Sequence, residues 1–204
     1  MSALAVLADG RLASGSGDGT IKLWNPASGT CEATLEGHAD WVGALAVLAD
    51  GRLASQSLDG TIKLWNPASG ACEATLEAHT HWVGALAVLA DGRLASGSGD
   101  GTIKLWSPAS GTCEATLEGH ARGVGALAVL ADGRLASGSH DKSIRIWESR
   151  DHRKRGSVQF IGDAVVTALA IAPDAFLLAA GDASGRVHFL RVGGVPTTND
   201  ALQS

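Results

Sequence analysis

The sequence predicts an all-β fold, a β-propeller of about five four-stranded blades, the last degenerate and the ring incomplete or open. Three observations predict it. Trp24, Trp65, Trp106 and Trp147 follow one another at a constant step of 41 residues, as do Asp18, Asp59, Asp100 and Asp141. Segments 42–82 and 83–123 are identical at 33 of 41 positions. Within each unit, short apolar or alternating runs are separated by turn signals, giving four strands per repeat of ~40 residues.

The unit that starts at Ala44 shows the elements in order. Ala44-Leu45-Ala46-Val47-Leu48 is apolar throughout and suits a strand covered on both faces. Asp50-Gly51 is a hairpin signal. Arg52-Leu53-Ala54-Ser55 forms the second strand, and Asp59-Gly60 turns the chain again. In the third strand, Thr61-Ile62-Lys63-Leu64-Trp65, Ile62 and Leu64 share a face. Asn66-Pro67 and Ser69-Gly70 make a loop. The fourth strand, Cys72 to Glu77, alternates, with Cys72, Ala74 and Leu76 on one side and Glu73, Thr75 and Glu77 on the other, as in a half-solvated outer strand. The apolar runs are about six residues long and bounded by Asp-Gly, too short for a typical helix.

Blades are expected near residues 3–36, 44–77, 85–118, 126–160 and 165–193, with a loose tail over 194–204. The first begins directly at its inner strand with no Gly-His before it. The fifth offers three strands, over 165–172, 176–180 and 186–192, with Leu190 at the Trp position and Gly162 where a His is expected. No strand is visibly left over to lock a ring. The expectation is an open arc or a strained ring that associates through its ends, or the downstream part of a longer propeller.

Gly37-His38, Ala78-His79 and Gly119-His120, the Ser-x-Ser-x-Asp runs and the strand ending in Trp together resemble the WD-repeat family over nearly the whole chain. One departure is that Asn25, Asn66, Ser107 or Glu148 follows the Trp, never Asp. The resemblance implies a buried hydrogen-bond network in each complete blade. Its members would be His38, Ser55, Asp59 and Trp65 in the second, His79, Ser96, Asp100 and Trp106 in the third, and His120, Ser137, Asp141 and Trp147 in the fourth. Which Ser of each Ser-x-Ser pair takes part is left open. Residues 178–189 look like the closing repeat of bacterial signalling NTPases with C-terminal WD-repeats, which suggests a sensor or scaffold role.

Several function classes are disfavoured. A net charge of −5 is the wrong sign for nucleic acid. The one basic run, Arg150, Arg153, Lys154 and Arg155, reads as a solvated loop or, alternatively, a docking site for an acidic partner or nucleic acid. Cys31, Cys72 and Cys113 occupy one repeated position, so they should sit in different blades, unpaired, consistent with a reducing compartment such as the cytoplasm. No Cys-x-x-Cys or His-x-x-x-His spacing suggests a metal, no P-loop suggests nucleotide, and no cofactor is expected. No apolar run is long enough to span a membrane. The His–Asp pairs recur blade by blade, whereas catalysis needs one convergent constellation, so the expectation is not an enzyme.

What remains is a protein-interaction module for a protein or peptide partner. The rival, an enzyme using the channel mouth, finds no constellation. Three of the eight differences between segments 42–82 and 83–123 fall in the loop after the His. There the units read Ala39-Asp40-Trp41, Thr80-His81-Trp82 and Ala121-Arg122-Gly123, and the residue before the network Asp varies as Gly17, Leu58, Gly99 and His140. By resemblance both segments lie on the channel face. Asp40, Trp41, Leu58, His81, Trp82, Arg122 and His140 are therefore the expected partner-binding residues, with the two tryptophans as candidate anchors.

Overall fold

The computed structural model describes residues 2–148, 157–172 and 177–192. Five antiparallel sheets follow one another along them. Blade 1 is β1 (Ala3–Val6), β2 (Leu12–Gly15), β3 (Ile21–Asn25) and β4 (Thr30–Leu35). Blade 2 is β5 (Val42–Val47), β6 (Leu53–Ser57), β7 (Thr61–Trp65) and β8 (Cys72–Glu77). Blade 3 is β9 (Val83–Val88), β10 (Leu94–Ser98), β11 (Ile103–Ser107) and β12 (Thr112–Leu117). Blade 4 is β13 (Val124–Val129), β14 (Leu135–Ser139), β15 (Ser143–Trp147) and β16 (Ser157–Ile161). Blade 5 has three described strands, β17 (Val166–Ile171), β18 (Leu177–Asp182) and β19 (Val187–Arg191). The expected tail and the basic run lie outside the described residues.

Each sheet is a meander in sequence order. The Asp-Gly hairpins make this possible: Gly51 closes the β5–β6 turn at a φ of 86°, a left-handed conformation that a side chain resists. In blade 4 the second hairpin breaks the rule, and Lys142 adopts a φ of 70° where other blades use Gly. Because every strand reverses, the connections gather at two ends. The β1–β2 type turns and the loops before the outer strands lie at the lower end. The β2–β3 type turns and the crossings to the next blade lie at the upper end.

The innermost strands stack in order, β1 on β5, β5 on β9, β9 on β13 and β13 on β17. Apolar cores lie between blades rather than within them. Ile21, Leu23 and Leu35 of blade 1 meet Leu45, Leu53 and Trp65 of blade 2, and the same arrangement recurs at each junction. Full burial of one such aliphatic side chain stabilises the fold by about 1.5–3 kcal/mol.

At the lower end, Arg11 binds Asp9 and donates across the junction to the carbonyl of Pro67 at 2.9 Å. Arg52 repeats this toward the carbonyl of Pro108 at 3.0 Å.

Among the described residues the sheets form no closed ring. Leu4 and Val6 on the leading face of blade 1 are 59% and 67% exposed, and Val187 and Phe189 on the trailing face of blade 5 are 58% and 69% exposed. The outer strands also differ from simple alternation. Leu76 is buried, but Cys72 on the same side is exposed. A bulge at Leu64/Trp65 shifts the pairing, and this strand lies farthest from the axis, where blades diverge.

Candidate partner-binding face

The site is built on the hydrogen-bond networks, and these follow from strand register. Ser55 is opposite Lys63 and two residues from Leu53, whose partner is Trp65, so Ser55 and the indole lie within reach on one face. Trp65 Nε1 donates to Ser55 Oγ at 2.7 Å, His38 Nε2 lies 2.7 Å from the same hydroxyl, and His38 Nδ1 lies 2.9 Å from Asp59 Oδ2. The same set joins His79, Ser96, Asp100 and Trp106, with distances of 3.0, 2.8 and 2.9 Å. It recurs for His120, Ser137, Asp141 and Trp147, at 2.9, 2.7 and 2.7 Å.

Proton direction follows from the chemistry. The indole only donates, and an ionised carboxylate only accepts. Burial alone would raise the Asp59 carboxyl, but hydrogen bonds from the hydroxyl and amide of Thr61, the Ala39 amide and His38 outweigh it and hold the pKa at about 2. Asp100 and Asp141 are lowered in the same way. Burial lowers the pKa of His38, His79 and His120 despite the adjacent aspartates. A neutral imidazole therefore donates from Nδ1 to the aspartate and accepts at Nε2 from the serine hydroxyl. This Asp–His–Ser order is that of a hydrolytic triad, yet Ser55, Ser96 and Ser137 are 0% exposed and each already accepts an indole N–H. The three hydroxyls are closed to solvent and already engaged on both sides.

The first Ser of each pair is thus the network member. The second has another task. Ser57 donates to the carbonyl of Asp40, Ser98 to that of Trp82 and Ser139 to that of Arg122, at 2.9, 3.0 and 3.0 Å, tying the blade-crossing loop to the hairpin. Backbone bonds complete the tie: the amides of Leu58, Gly99 and His140 donate to the carbonyls of Trp41, Trp82 and Gly123. The variable positions expected from sequence are therefore brought together as pairs at the upper end.

The pairs behave differently. Trp82 is half-buried, lying over Gly99 and reaching Gly123 of blade 4, where a Cβ would meet the indole at 2.6 Å and 3.0 Å. Its ring stands 5.5 Å from that of His140. It is as much a clamp between blades 3 and 4 as an exposed anchor. Trp41 is paired with Leu58 instead of Gly, turns toward blade 1, donates to Ser2 Oγ and stays 45% exposed. Asp40, Leu58, His81, Arg122 and His140 are exposed.

Between blades 2 and 3 the upper end opens into a groove of ≈ 440 Å³ lined by Asp40, Leu58, Asp59, Gly60, His79, Thr80, His81 and Trp82. Gln56 is the residue that sequence reasoning missed here. Gly15, Gly97 and Gly138 hold this position in the other complete blades, so close to the next blade that a Cβ would stand 2.8, 2.7 and 2.5 Å from Val42, Val124 and Val166. Gln56 places a whole side chain there, 2% exposed and with Oε1 lacking a partner. The signal was available: Gln56 is one of the eight differences between near-identical units.

Among the described residues, no group of three or more His, Cys, Asp and Glu could hold a metal ion, and no helix is long and apolar enough to cross a membrane.

Known proteins place this geometry. The family model described as WD domain, G-beta repeat matches residues 1–25, 29–66 and 70–107, and one described as TEP-1 C-terminal beta-propeller matches residues 120–191. The crystal structure of the WD40 beta propeller domain of Doa1 superposes with a TM-score of 0.78 at 28% identity, over 89% of this chain. The chain spans 60% of the length of that structure. No curated protein sequence matches it.

Proposed function

This chain is a β-propeller of WD40 repeats, and from that premise we propose that it is a non-catalytic interaction platform that binds a protein or peptide partner on the upper face. WD40 propellers generally mediate protein–protein interaction. One observation carries the choice of face: near-identical repeats diverge at Asp40, Trp41, Leu58, His81, Trp82, Arg122 and His140, and all seven lie at the upper end on backbone pinned by the networks. A rigid scaffold with varied loops is the usual division of labour in recognition.

Finer readings have narrower support. A sensor or scaffold role in a larger bacterial signalling protein rests on the likeness of residues 178–189 alone. A cytoplasmic location rests on the three exposed, unpaired thiols. The open faces of blades 1 and 5 suit further blades, from an upstream segment or a second copy.

The test is site-specific photo-crosslinking from position 41 or 122 at the upper end against position 91 at the lower end. The partner crosslinked from the upper end is then purified and titrated against a Trp41→Ala/Leu58→Gly variant. Loss of binding without loss of folding supports the reading. Equal crosslinking from the lower end, or undiminished affinity, overturns it.

A further inference from the structure

We propose that the groove between blades 2 and 3 seats a basic side chain, arginine or lysine, of an extended peptide segment. This rests on the reading of the upper face as the partner-binding face and names what one part of it selects.

Two residues beside this groove are absent from the other complete blades, Leu58 in its lining and Gln56 buried beneath. Gln56 stands where Gly15, Gly97 and Gly138 let the next blade close in, and its buried amide lies against Gly43 of the same blade. Leu58 stands where blades 1 and 3 have Gly17 and Gly99, and projects 41% exposed beside the opening. In blade 3 the corresponding space, over Gly99, is filled by Trp82. At the blade 2–3 junction it is left as the groove of ≈ 440 Å³.

Its lining has two characters. Leu58 and the half-buried indole of Trp82 are apolar. Asp40 and Asp59 supply carboxylates. Asp59 is ionised, with Oδ2 engaged by His38 and the Ala39 amide and Oδ1 by Thr61, so it contributes field rather than a free ligand atom. Asp40 is exposed, and its Oδ1 accepts the Trp41 amide, which fixes the side chain while Oδ2 remains to accept. The other titratable groups of the lining are histidines. The His79 imidazole is shielded from solvent and neutral, its Nδ1 committed to Asp100, and His81 is exposed. No lysine or arginine lines the groove. Its fixed charge is therefore negative, beside an aromatic ring and an aliphatic knob.

Arginine and lysine match that pairing. Their stems lie along apolar surface while the charged head reaches a carboxylate, and a cation near an indole gains a further attraction. An acidic or phosphorylated segment would meet two carboxylates and no compensating cation.

The experiment pans a random heptapeptide display library on the intact chain. Selected peptides are then titrated by fluorescence anisotropy against the chain and its Asp40→Asn and Leu58→Gly variants. Asn keeps the acceptor for the Trp41 amide, and Gly restores the residue of blades 1 and 3, so both variants should fold, which melting curves verify. The expected result is enrichment of Arg or Lys beside an apolar residue. Replacing that Arg by the neutral isostere citrulline should weaken binding about tenfold, the scale of a lost charge-assisted hydrogen bond. Asp40→Asn should cost a similar factor, and little more once citrulline is present. Selection without a basic residue, no enrichment, or affinities indifferent to Asp40→Asn would overturn the proposal. If peptides ignore Asp40→Asn but are lost on Trp41→Ala or Arg122→Ala, the upper-face reading stands and the groove assignment falls. If they survive every upper-face substitution, both fall.

Discussion

Blades 1 and 2 are almost the same molecule in two situations. From Leu12 to Glu36 and from Leu53 to Glu77 they differ only at Gly15/Gln56, Gly17/Leu58 and Thr30/Ala71. Yet Trp65 is 1% exposed, while Trp24 is half-buried. Both indoles donate to the first Ser of their blade, but only Trp65 has an imidazole completing the chain to an aspartate, and Asp18 stays at the surface with Thr20. Leu45 and Val47 pack into the junction with blade 1, while their counterparts Leu4 and Val6 face open space. Burial and network are thus gifts of the neighbour. A blade's sequence prepares a face, and the preceding blade, with the loop that crosses from it, turns that face into core.

The comparison is open to four tests, the largest effect first. Trp65→Ala should destabilise by about 3–5 kcal/mol, as deletion of a fully buried aromatic does. Trp24→Ala should cost well under half as much in the same urea titration. Equal losses would mean that the leading face of blade 1 is covered in solution.

Asp100→Ala should cost about 1–3 kcal/mol by stranding buried donors around it, with partner binding on the upper face retained. Asp18→Ala should leave the unfolding midpoint where it was. Unchanged stability of Asp100→Ala with binding abolished would make the network a recognition element instead.

Acid should act on blades 2 to 4 in two stages of one sign. The three network histidines are held below their ordinary value of 6.5, so the unfolded chain binds protons that the folded chain refuses once the pH drops below about 6.5. Asp59, at about 2 against an ordinary 3.8, adds a second refusal below about pH 4. Stability is then full above neutrality, declines toward pH 5 and declines again between 4 and 2. Melting temperatures from pH 7.5 to 3 measure this, and a flat profile down to pH 5 would show that the imidazoles charge freely in the fold.

The smallest effect belongs to Gln56→Gly. Removing a buried amide with an unmet acceptor gains about 1–3 kcal/mol, and the added backbone freedom of Gly returns about 0.5–1 kcal/mol. A modest net rise in melting temperature is expected, and a clear fall would show that the amide is satisfied and holds the junction.

Much of this was legible because repetition makes a sequence its own alignment. The strands, the turns and the His–Ser–Asp–Trp sets all lie at fixed steps, and the structure brings each set together. Legibility ended where a contact depends on a register or on a second blade. Nothing in Ser55-Gln56-Ser57 says which hydroxyl meets the indole; the pairing of Leu53 with Trp65 decides it. Trp41 and Trp82 look equivalent in the chain, yet one turns toward blade 1 and donates to Ser2 while the other lies over Gly99, because the residue opposite is Leu58 in one case and Gly99 in the other. Cys72 alternates correctly and is still exposed, since alternation reports direction and not distance from the neighbouring blade.

The arginine struts give this arc a mechanical character. Arg52 ties blade 2 to blade 3 through the Pro108 carbonyl at the lower end, under the same junction that is open above. Between the two ends lies the shared core of Ile62, Leu64, Leu94 and Trp106, so a ligand seated in the upper gap would rest on a junction pinned at mid-height as well as along its lower edge.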